Sequence, residues 1–361
     1  MAISVMAFHY VSWSVSEPGS NSLLGKLGIY AVSIFYILSG LSLSYLYISV
    51  GKSFSLKEFI IKRVFRIVPI FWVCLTLVLI LRYLKGAFII GENFTPDLLE
   101  VFLNFSLLFG FFMPDKYFSV GAWSIGNEVV FYTIYPFIIY SCVRFGKALS
   151  LIWLILSVSI AAYFSFFLID NSLGINKNWS LYVHPLNQLF LFVSGICISV
   201  FFRPCNASNL SLNFKYFISL LILFVIFIYF PVGDRSIDLI TGKERMILSL
   251  LSILIVLNVY ILQVSITGLL ATVLLFFGRC CYSIYLFHPI VALPLSFVLH
   301  EKLGLHIVLT YLLSACITLI LSSFSYNKLE KPMMDIGKRL SKKVMTQDES
   351  ESNSIPTEGK V

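Results

Sequence analysis

The sequence predicts an all-α integral membrane protein, a polytopic bundle of about ten transmembrane helices with both termini in the cytoplasm. Of its 361 residues, 58% are hydrophobic and only 12% are charged, and the mean hydropathy is +0.91. Soluble domains carry about 25% charged residues. Long runs without Asp, Glu, Lys or Arg recur, and many approach the roughly 20 residues that a helix needs to cross a bilayer. These runs are continuously apolar, whereas the strands of a membrane barrel alternate.

Each long apolar run is assigned one span, in chain order. The ten predicted spans are 1–16, 28–50, 64–84, 119–143, 148–169, 184–202, 215–232, 246–263, 279–299 and 305–327.

Basic residues collect in cytoplasmic loops, so their distribution decides whether the apolar segment 98–113 spans. If it does not, most Lys and Arg lie on one side of the membrane. If it does, the basic residues of 144–147 and 203–215 move to the face opposite the cluster 62–66. We therefore predict an interfacial or re-entrant segment at 98–113. The piece 267–277 is predicted to be interfacial or the start of the next helix.

The chain is predicted to form one membrane domain, 1–335, followed by a polar cytoplasmic tail, 336–361. The tail has no apolar face to bury, which predicts disorder. The formal net charge of +8 is read as membrane topology and does not indicate nucleic-acid binding. The seven cysteines lack the paired spacing of a zinc site, so no metal site is predicted.

One acidic residue, Glu128, lies well inside a long apolar run. Ionised groups near a helix centre cost about 2.5–3.5 kcal/mol on insertion scales, so such a residue is a functional candidate. The alternative is an acid satisfied by Asn127 or by a neighbouring helix, or one that lines a wet cavity.

Two histidines, His9 and His288, lie well inside predicted spans, whereas the other three, at 184, 300 and 306, sit at predicted helix ends. Histidine suits general base catalysis because its ordinary pKa lies near 6.5. The alternative is a hydrogen bond that packs two helices together. If their helices meet, His9 and Glu128 could form a base and the group that orients it.

Basic residues cluster before the third span, at Lys62, Arg63 and Arg66. Arg63 and Arg66 are three residues apart, so on a helix they share a face and can grip one phosphorylated ligand. The alternative is that the cluster only anchors the helix on the cytoplasmic side.

Five segments, taken together and in order, resemble the acyltransferase-3 family of membrane acyltransferases, which modify bacterial surface polysaccharides and related acceptors. The resemblance runs from about residue 1 to 335. It rests on His9 with the following GIYAVSIFYILSG, on Arg63 and Arg66, on Trp123, Ser124, Glu128, Phe131, Tyr132 and Pro136, on Ser283, Tyr285 and His288 in GRCCYSIYLFHP, and on Glu330 to Pro332.

The resemblance implies transfer of an acyl group, usually acetyl, from cytoplasmic acyl-CoA to a hydroxyl of a cell-surface carbohydrate or lipid-linked glycan. Acyl-CoA is a co-substrate, so no permanently bound cofactor is expected. The expected location is the bacterial cytoplasmic (inner) membrane, with several passes. Catalysis is assigned to His9 and Glu128, and donor binding to Arg63, Arg66 and Lys62. The residues expected to line the site or contact the acceptor are Trp123, Ser124, Asn127, Tyr132, Tyr285 and His288.

The amino-terminal end departs from the family pattern. Relatives usually carry an arginine upstream of the first-helix histidine, at a position that would precede Met1. In addition, a span of 16 residues covers only about 24 Å of the ~30 Å hydrocarbon core. We therefore expect an in-frame upstream extension that carries this arginine.

A different class of protein also fits ten spans with few intramembrane charges, namely a secondary transporter or a lipid-linked sugar flippase. Transporters tend to show inverted repeats with helices broken at corresponding positions. No such pairing is evident in this sequence. The sequence leaves open the acceptor, the acyl chain, the oligomeric state and whether an acyl-enzyme intermediate forms.

Overall fold

The computed structural model describes residues 1–49, 54–87, 94–204, 210–262 and 266–354. Over these residues the chain is helical and contains no strand, which confirms the predicted all-α class. The α-helices are α1 (Ala2–Ser14), α2 (Leu23–Ser44), α3 (Leu56–Lys85), α4 (Leu98–Phe105), α5 (Phe109–Phe112), α6 (Trp123–Phe145), α7 (Lys147–Tyr163), α8 (Trp179–Tyr182), α9 (Pro185–Phe201), α10 (Leu210–Tyr229), α11 (Gly242–Ile261), α12 (Gly268–Leu295), α13 (Ile307–Ser325) and α14 (Lys331–Ser354).

Each of the ten predicted spans coincides with a helix in the described part of the chain. Eight helices there are long and apolar enough to cross a membrane. A ninth span arises if the pair Ile175–Tyr182 and Pro185–Phe201, bent by 57°, crosses as one unit. The remaining predicted span is α1, which has 13 helical residues.

Helix α2 lies at the centre of the bundle and packs tightly against α9. A Cβ atom added at Gly40 would lie 2.0 Å from the Phe192 carbonyl oxygen, and one added at Gly195 would lie 2.0 Å from that of Ile37. Small residues let membrane helices approach this closely and so increase their van der Waals contact. This contact matters in a bilayer, because the hydrophobic effect does not drive helices together within lipid. The contact fixes α2, and with it the side chains that α2 presents to the site.

The segment 98–113 forms two short helices, α4 and α5, neither long enough to cross a bilayer. Asp97 caps α4 by accepting a hydrogen bond from the Leu99 amide at 2.9 Å. The break after α4 contains Leu107, whose φ is +60°. The segment therefore supports α3 and α6 without spanning, as the charge distribution predicted.

The piece 267–277 belongs to α12, so it is the start of the next helix, one of the two predicted alternatives. Its first part, Gly268–Arg279, is apolar but too short to span, whereas Cys281–Lys302 can span.

The segment 336–361 was expected to be disordered, and its described residues, up to Ser354, are helical in the structure. Helix α13 continues through a π-helical turn, Tyr326–Glu330, into α14, and α14 packs along α3. Gly337 makes this possible, since a Cβ atom there would come within 2.7 Å of the Phe65 Cβ atom. A polar helix is thus ordered by contact with its neighbour. Residues 355–361 lie outside the described part.

Candidate active site

A cavity of about 590 Å³ opens between α2, α3, α6 and α12 and is closed by the turn that joins α13 to α14. Its size is typical of pockets that hold small molecules. Two kinds of charged side chain line it. The lining arginines are Arg63, Arg66 and Arg279, and the lining carboxylates are Glu128 and Glu330.

The Glu128 carboxylate is held by two hydroxyl groups. The Ser39 hydroxyl donates to Oε1 at 2.9 Å, and the Tyr132 hydroxyl donates to the same oxygen. Tyr132 is one helical turn beyond Glu128, whereas Ser39 comes from α2. The two hydroxyl groups thus occupy Oε1. The hydrogen bonds of the described residues leave the other carboxylate oxygen of Glu128 unused, and Glu128 lines the cavity. Of the alternatives raised for the sequence, contact with Asn127 is absent among the described residues, whereas a neighbouring helix does hold Glu128, through Ser39, and the residue lines a cavity.

Glu330 lies in the π-helical turn before α14 and accepts a hydrogen bond from the Ser283 hydroxyl of α12. Turns of this kind occur frequently at functional sites, because they redirect one side chain out of helical register. Here the turn directs the carboxylate of Glu330 into the cavity.

The three cavity arginines have no ion-pair partner and no hydrogen bond within the described part of the chain. The guanidinium of Arg63 lies 5.6 Å from the centroid of the Tyr132 ring, and its Nε atom is buried without a partner. Arg66 and Arg279 are exposed. Guanidinium groups without ion pairs are able to bind an anion with several charged oxygens, although Glu128 and Glu330 line the same cavity. Arg63 and Arg66 share a face, as their spacing predicted.

The two intramembrane histidines meet. His9 Nδ1 lies 2.8 Å from His288 Nε2, and the rings are nearly parallel. His288 is fully buried, and its Nδ1 atom lies 3.2 Å from the Ile284 carbonyl oxygen. His9 is half-buried, and its Nε2 atom has no hydrogen-bond partner among the described residues. Nε2 of His9 is thus free to contact a substrate.

The predicted pairing of His9 with Glu128 is wrong. Within the described residues no hydrogen bond joins them, because Glu128 is held by Ser39 and Tyr132 and His9 is held by His288.

Tyr285 connects the histidine pair to the cavity. It lines the cavity, and its ring centroid lies 6.1 Å from that of His288, one turn further along α12. Its hydroxyl donates to the Gly121 carbonyl oxygen at 2.8 Å and lies 2.9 Å from the Ser124 hydroxyl. Gly121 has a φ of +82°, and a Cβ atom there would lie 2.7 Å from the Tyr285 hydroxyl, so glycine suits this position.

Comparison of the sequence with known protein families identifies the family of this chain. The sequence profile of the acyltransferase-3 family, described as an acyltransferase domain, matches residues 1–326. The chain belongs to the acyltransferase-3 family. This membership favours an enzyme over the transporter or flippase considered for the sequence.

The similar curated proteins include O-acetyltransferase OatA from Staphylococcus aureus strains NCTC 8325, COL and MRSA252. Each is 24% identical over 329 residues, which cover 86% of this chain and 53% of the relative. The chain thus spans about half the length of these relatives. No solved structure matches it.

Five residues assigned to the site of this acyltransferase domain are not among those that line its cavity. Two of them are His9 and His288, which pair with each other behind Tyr285.

Lys62 forms an ion pair with Glu58, one turn earlier on α3. Trp123 is buried against the rings of Trp179 and Tyr182.

Asn127 is the fifth. Its side-chain amide donates to the Val183 carbonyl oxygen at 2.9 Å and to the Tyr36 hydroxyl at 3.3 Å. It braces α6 against its neighbours and does not reach the cavity. By contrast, Ser124, Tyr132 and Tyr285 line the cavity as predicted.

Arg279 was missed as a site residue because its place at the edge of an apolar run fitted topology alone. Ser39 and Glu330 lie in segments that carry the family resemblance, and this was the available signal for both. A single sequence does not show that α2, α12 and the turn before α14 face the same cavity.

Proposed function

We propose that this member of the acyltransferase-3 family is a membrane O-acyltransferase, which moves an acyl group from cytoplasmic acyl-CoA to a hydroxyl of a cell-surface carbohydrate. The expected acyl group is acetyl. The observation that carries the proposal is the set of three guanidinium groups without ion pairs among the described residues that line one cavity. Tyr285 of the same lining contacts the ring of His288, which in turn pairs with His9.

The donor is recognised by its phosphates. Coenzyme A carries several phosphate charges, and guanidinium groups bind phosphate oxygens through paired, charge-assisted hydrogen bonds. Arg63 and Arg66 come from α3 and Arg279 from α12, so they approach the donor from two helices. Their charges are not neutralised by ion pairs, so they are available for the ligand. Lys62 contributes less, because its ammonium group is engaged by Glu58.

The chemistry follows from the free nitrogen of His9. An acceptor hydroxyl attacks the thioester carbonyl while His9 Nε2 removes its proton. The carbon–sulfur bond breaks, and the thiolate of coenzyme A leaves and takes up the proton from the histidinium ion. The products are an ester and free coenzyme A, and His9 returns to its neutral form.

Glu128 acts on the donor side of this reaction. Its Oε1 atom is occupied by Ser39 and Tyr132, which leaves the second oxygen to accept a hydrogen bond from the donor, for instance from an amide of the pantetheine arm. This role replaces the contact with His9 that the sequence suggested.

The proposed acceptor is an O-antigen, an exopolysaccharide or a lipid-linked sugar, reached from the outer side of the bacterial cytoplasmic membrane. The support is family membership together with the printed name of the similar proteins, O-acetyltransferase. The relatives are about twice as long as the matched region, so the acceptor is proposed for this chain and not transferred from them.

The decisive experiment compares the surface glycans of a deletion strain with those of the parent by mass spectrometry and NMR. Loss of one acyl group per repeat, restored by the wild-type gene but not by the His9→Ala variant, is the expected result. Unchanged glycans together with lipid-linked sugar retained on the cytoplasmic leaflet would contradict it and favour a flippase.

A further inference from the structure

We propose that His288 is a positioning residue that selects the tautomer of His9, so that the free nitrogen of His9 carries the lone pair needed for proton abstraction. This inference rests on the proposed function and assigns to His288 the task that a carboxylate performs in a serine hydrolase triad.

The tautomer of His288 is set by the backbone of its own helix. The Ile284 carbonyl oxygen, 3.2 Å from His288 Nδ1, can only accept a hydrogen bond, so this nitrogen must carry a proton. This acceptor therefore fixes the tautomer of a neutral His288 ring.

This choice passes to His9. In a neutral His288 ring with Nδ1 protonated, Nε2 has a lone pair and accepts hydrogen bonds. Its partner at 2.8 Å, His9 Nδ1, must then be the donor and carry a proton. Neutral His9 consequently has its lone pair on Nε2, the nitrogen without a partner among the described residues.

The position of His288 is fixed from a second side. Its backbone carbonyl accepts a hydrogen bond from the Tyr10 hydroxyl at 3.2 Å, and that hydroxyl lies 3.2 Å from the hydroxyl of Thr318 on α13. Tyr10 follows His9 directly on α1. Helices α1, α12 and α13 therefore hold the two rings in register, and the ring of Trp13 stacks on His9 with a centroid separation of 5.1 Å.

The pairing matters because the site is buried. Water can satisfy either nitrogen of an exposed histidine, but His288 is completely enclosed. If no group accepts a hydrogen bond from Nδ1, His9 is free to carry its proton on Nε2. Nε2 then has no lone pair with which to remove the proton of the substrate hydroxyl. After proton abstraction, Nδ1–H of the histidinium ion still donates to His288, which stabilises the charge.

Two substitutions separate the roles of the two nitrogens of His288. In His288→Gln, the amide oxygen takes the place of Nε2 and can still accept from His9. In His288→Asn, the shorter amide can donate to Ile284 but offers His9 no acceptor. With purified protein in lipid nanodiscs, acyl transfer by His288→Gln should stay close to wild type. His288→Asn should lose about 10²–10⁴-fold in kcat, with the KM for acetyl-CoA unchanged.

Nitrogen-15 NMR of the wild-type protein, labelled at its five histidines, reads the tautomers directly and needs no variant to fold. At alkaline pH, where all five histidine rings are neutral, two other histidines serve as reference signals for the tautomer protonated on Nε2. Nδ1 of His184 and of His306 accepts a backbone N–H at 3.3 Å, so both rings must be protonated on Nε2. The proposal expects His9 and His288 to be protonated on Nδ1 instead, and expects His9 to shift toward Nε2–H in His288→Asn.

Protonation of wild-type His9 on Nε2, or equal activity of His288→Gln and His288→Asn at the wild-type level, would overturn the proposal. The expected tautomers in a protein that transfers no acyl group would refute the proposed function but leave the tautomer assignment standing.

Discussion

The cations of the cavity differ from those buried on the opposite side of α2. Lys26 on α2 is 1% exposed, and its ammonium group donates to the carbonyl oxygens of Phe227, Ile228 and Phe230 at the end of α10. Arg245 on α11 is 3% exposed and donates to the Asn187 carbonyl oxygen at 2.9 Å and to the Ser165 hydroxyl at 3.1 Å.

Arg63, Arg66 and Arg279 make no such bonds within the described residues. The difference shows how the two roles of a cation in a membrane protein can be told apart. A structural cation has its N–H donors bonded to the protein, whereas a ligand-binding cation leaves them unused. The donors of Lys26 and Arg245 are used to join helices, whereas those of the cavity arginines remain available. The following substitutions test this distinction.

The largest effect is expected for His9→Ala, which removes the base while leaving both sets of cations in place. We expect kcat to fall about 10²–10⁴-fold, with little change in the Kd for acetyl-CoA. Acyl transfer by purified protein measures the first quantity and calorimetric titration the second. His300→Ala, a change at an exposed histidine, is the control. Near-wild-type turnover in His9→Ala would remove His9 from the mechanism.

Arg63→Ala combined with Arg66→Ala should raise the KM for acetyl-CoA about 100-fold, because each charge-assisted hydrogen bond contributes about 1.5–3 kcal/mol. Lysine at both positions keeps the charge and the topology but not the guanidinium fork, so it should rescue activity only in part. Steady-state kinetics with varied acetyl-CoA is the measurement. Complete rescue by lysine would mean that the pair serves only as a cytoplasmic anchor.

Glu128→Gln should reduce turnover about tenfold. With its amide oxygen held by Ser39 and Tyr132, the side chain presents an NH2 group, which only donates, where the second carboxylate oxygen is proposed to accept from the donor. The fold should be kept, because the amide oxygen can still accept from Ser39 and Tyr132. Kinetics together with thermal unfolding measures both. Unchanged turnover would make Glu128 a structural residue.

Arg245→Met should lower the free energy of unfolding without changing the Kd for acetyl-CoA. The substitution leaves two acceptors unsatisfied, each at a cost of about 1–3 kcal/mol. Thermal unfolding in detergent measures the loss of stability. A weaker affinity for acetyl-CoA at unchanged stability would erase the distinction between the two sets of cations.

The smallest effect is expected for Lys62→Ala. Lys62 is not among the residues that line the cavity, and its ammonium group already pairs with Glu58. The KM for acetyl-CoA should therefore stay near the wild-type value. An increase matching that of the Arg63 and Arg66 variant would place Lys62 in the donor site.

Much of the helical framework could be predicted from the sequence, because long apolar runs in a bilayer have few alternatives to helix. The cost of burying charge likewise identified Glu128, and helical spacing placed Arg63 and Arg66 on one face. The pairing of His9 with His288 could not be found this way. They are 279 residues apart in the chain, and a single sequence contains no measure of distance between helices.

Two differences between the sequence-based expectations and the structure have local explanations. The pair Glu58 and Lys62 has the i, i+4 spacing of a helical ion pair, a signal that competed with the donor-binding assignment of Lys62. The tail was predicted to be disordered from its polarity. Its order depends on the close approach of Gly337 to Phe65 on α3, a contact between distant parts of the chain.

The most direct test of the central claim is to titrate the wild-type protein and the Arg63→Ala, Arg66→Ala variant with acetyl-CoA and with acetyl-pantetheine, which lacks the phosphates. The wild type should bind acetyl-CoA far more tightly than acetyl-pantetheine, and the variant, which keeps Arg279, should lose most of this preference. Equal affinity of the wild type for the two ligands, or the same preference for acetyl-CoA in the variant, would contradict the assignment of the cavity arginines to the phosphates of the donor.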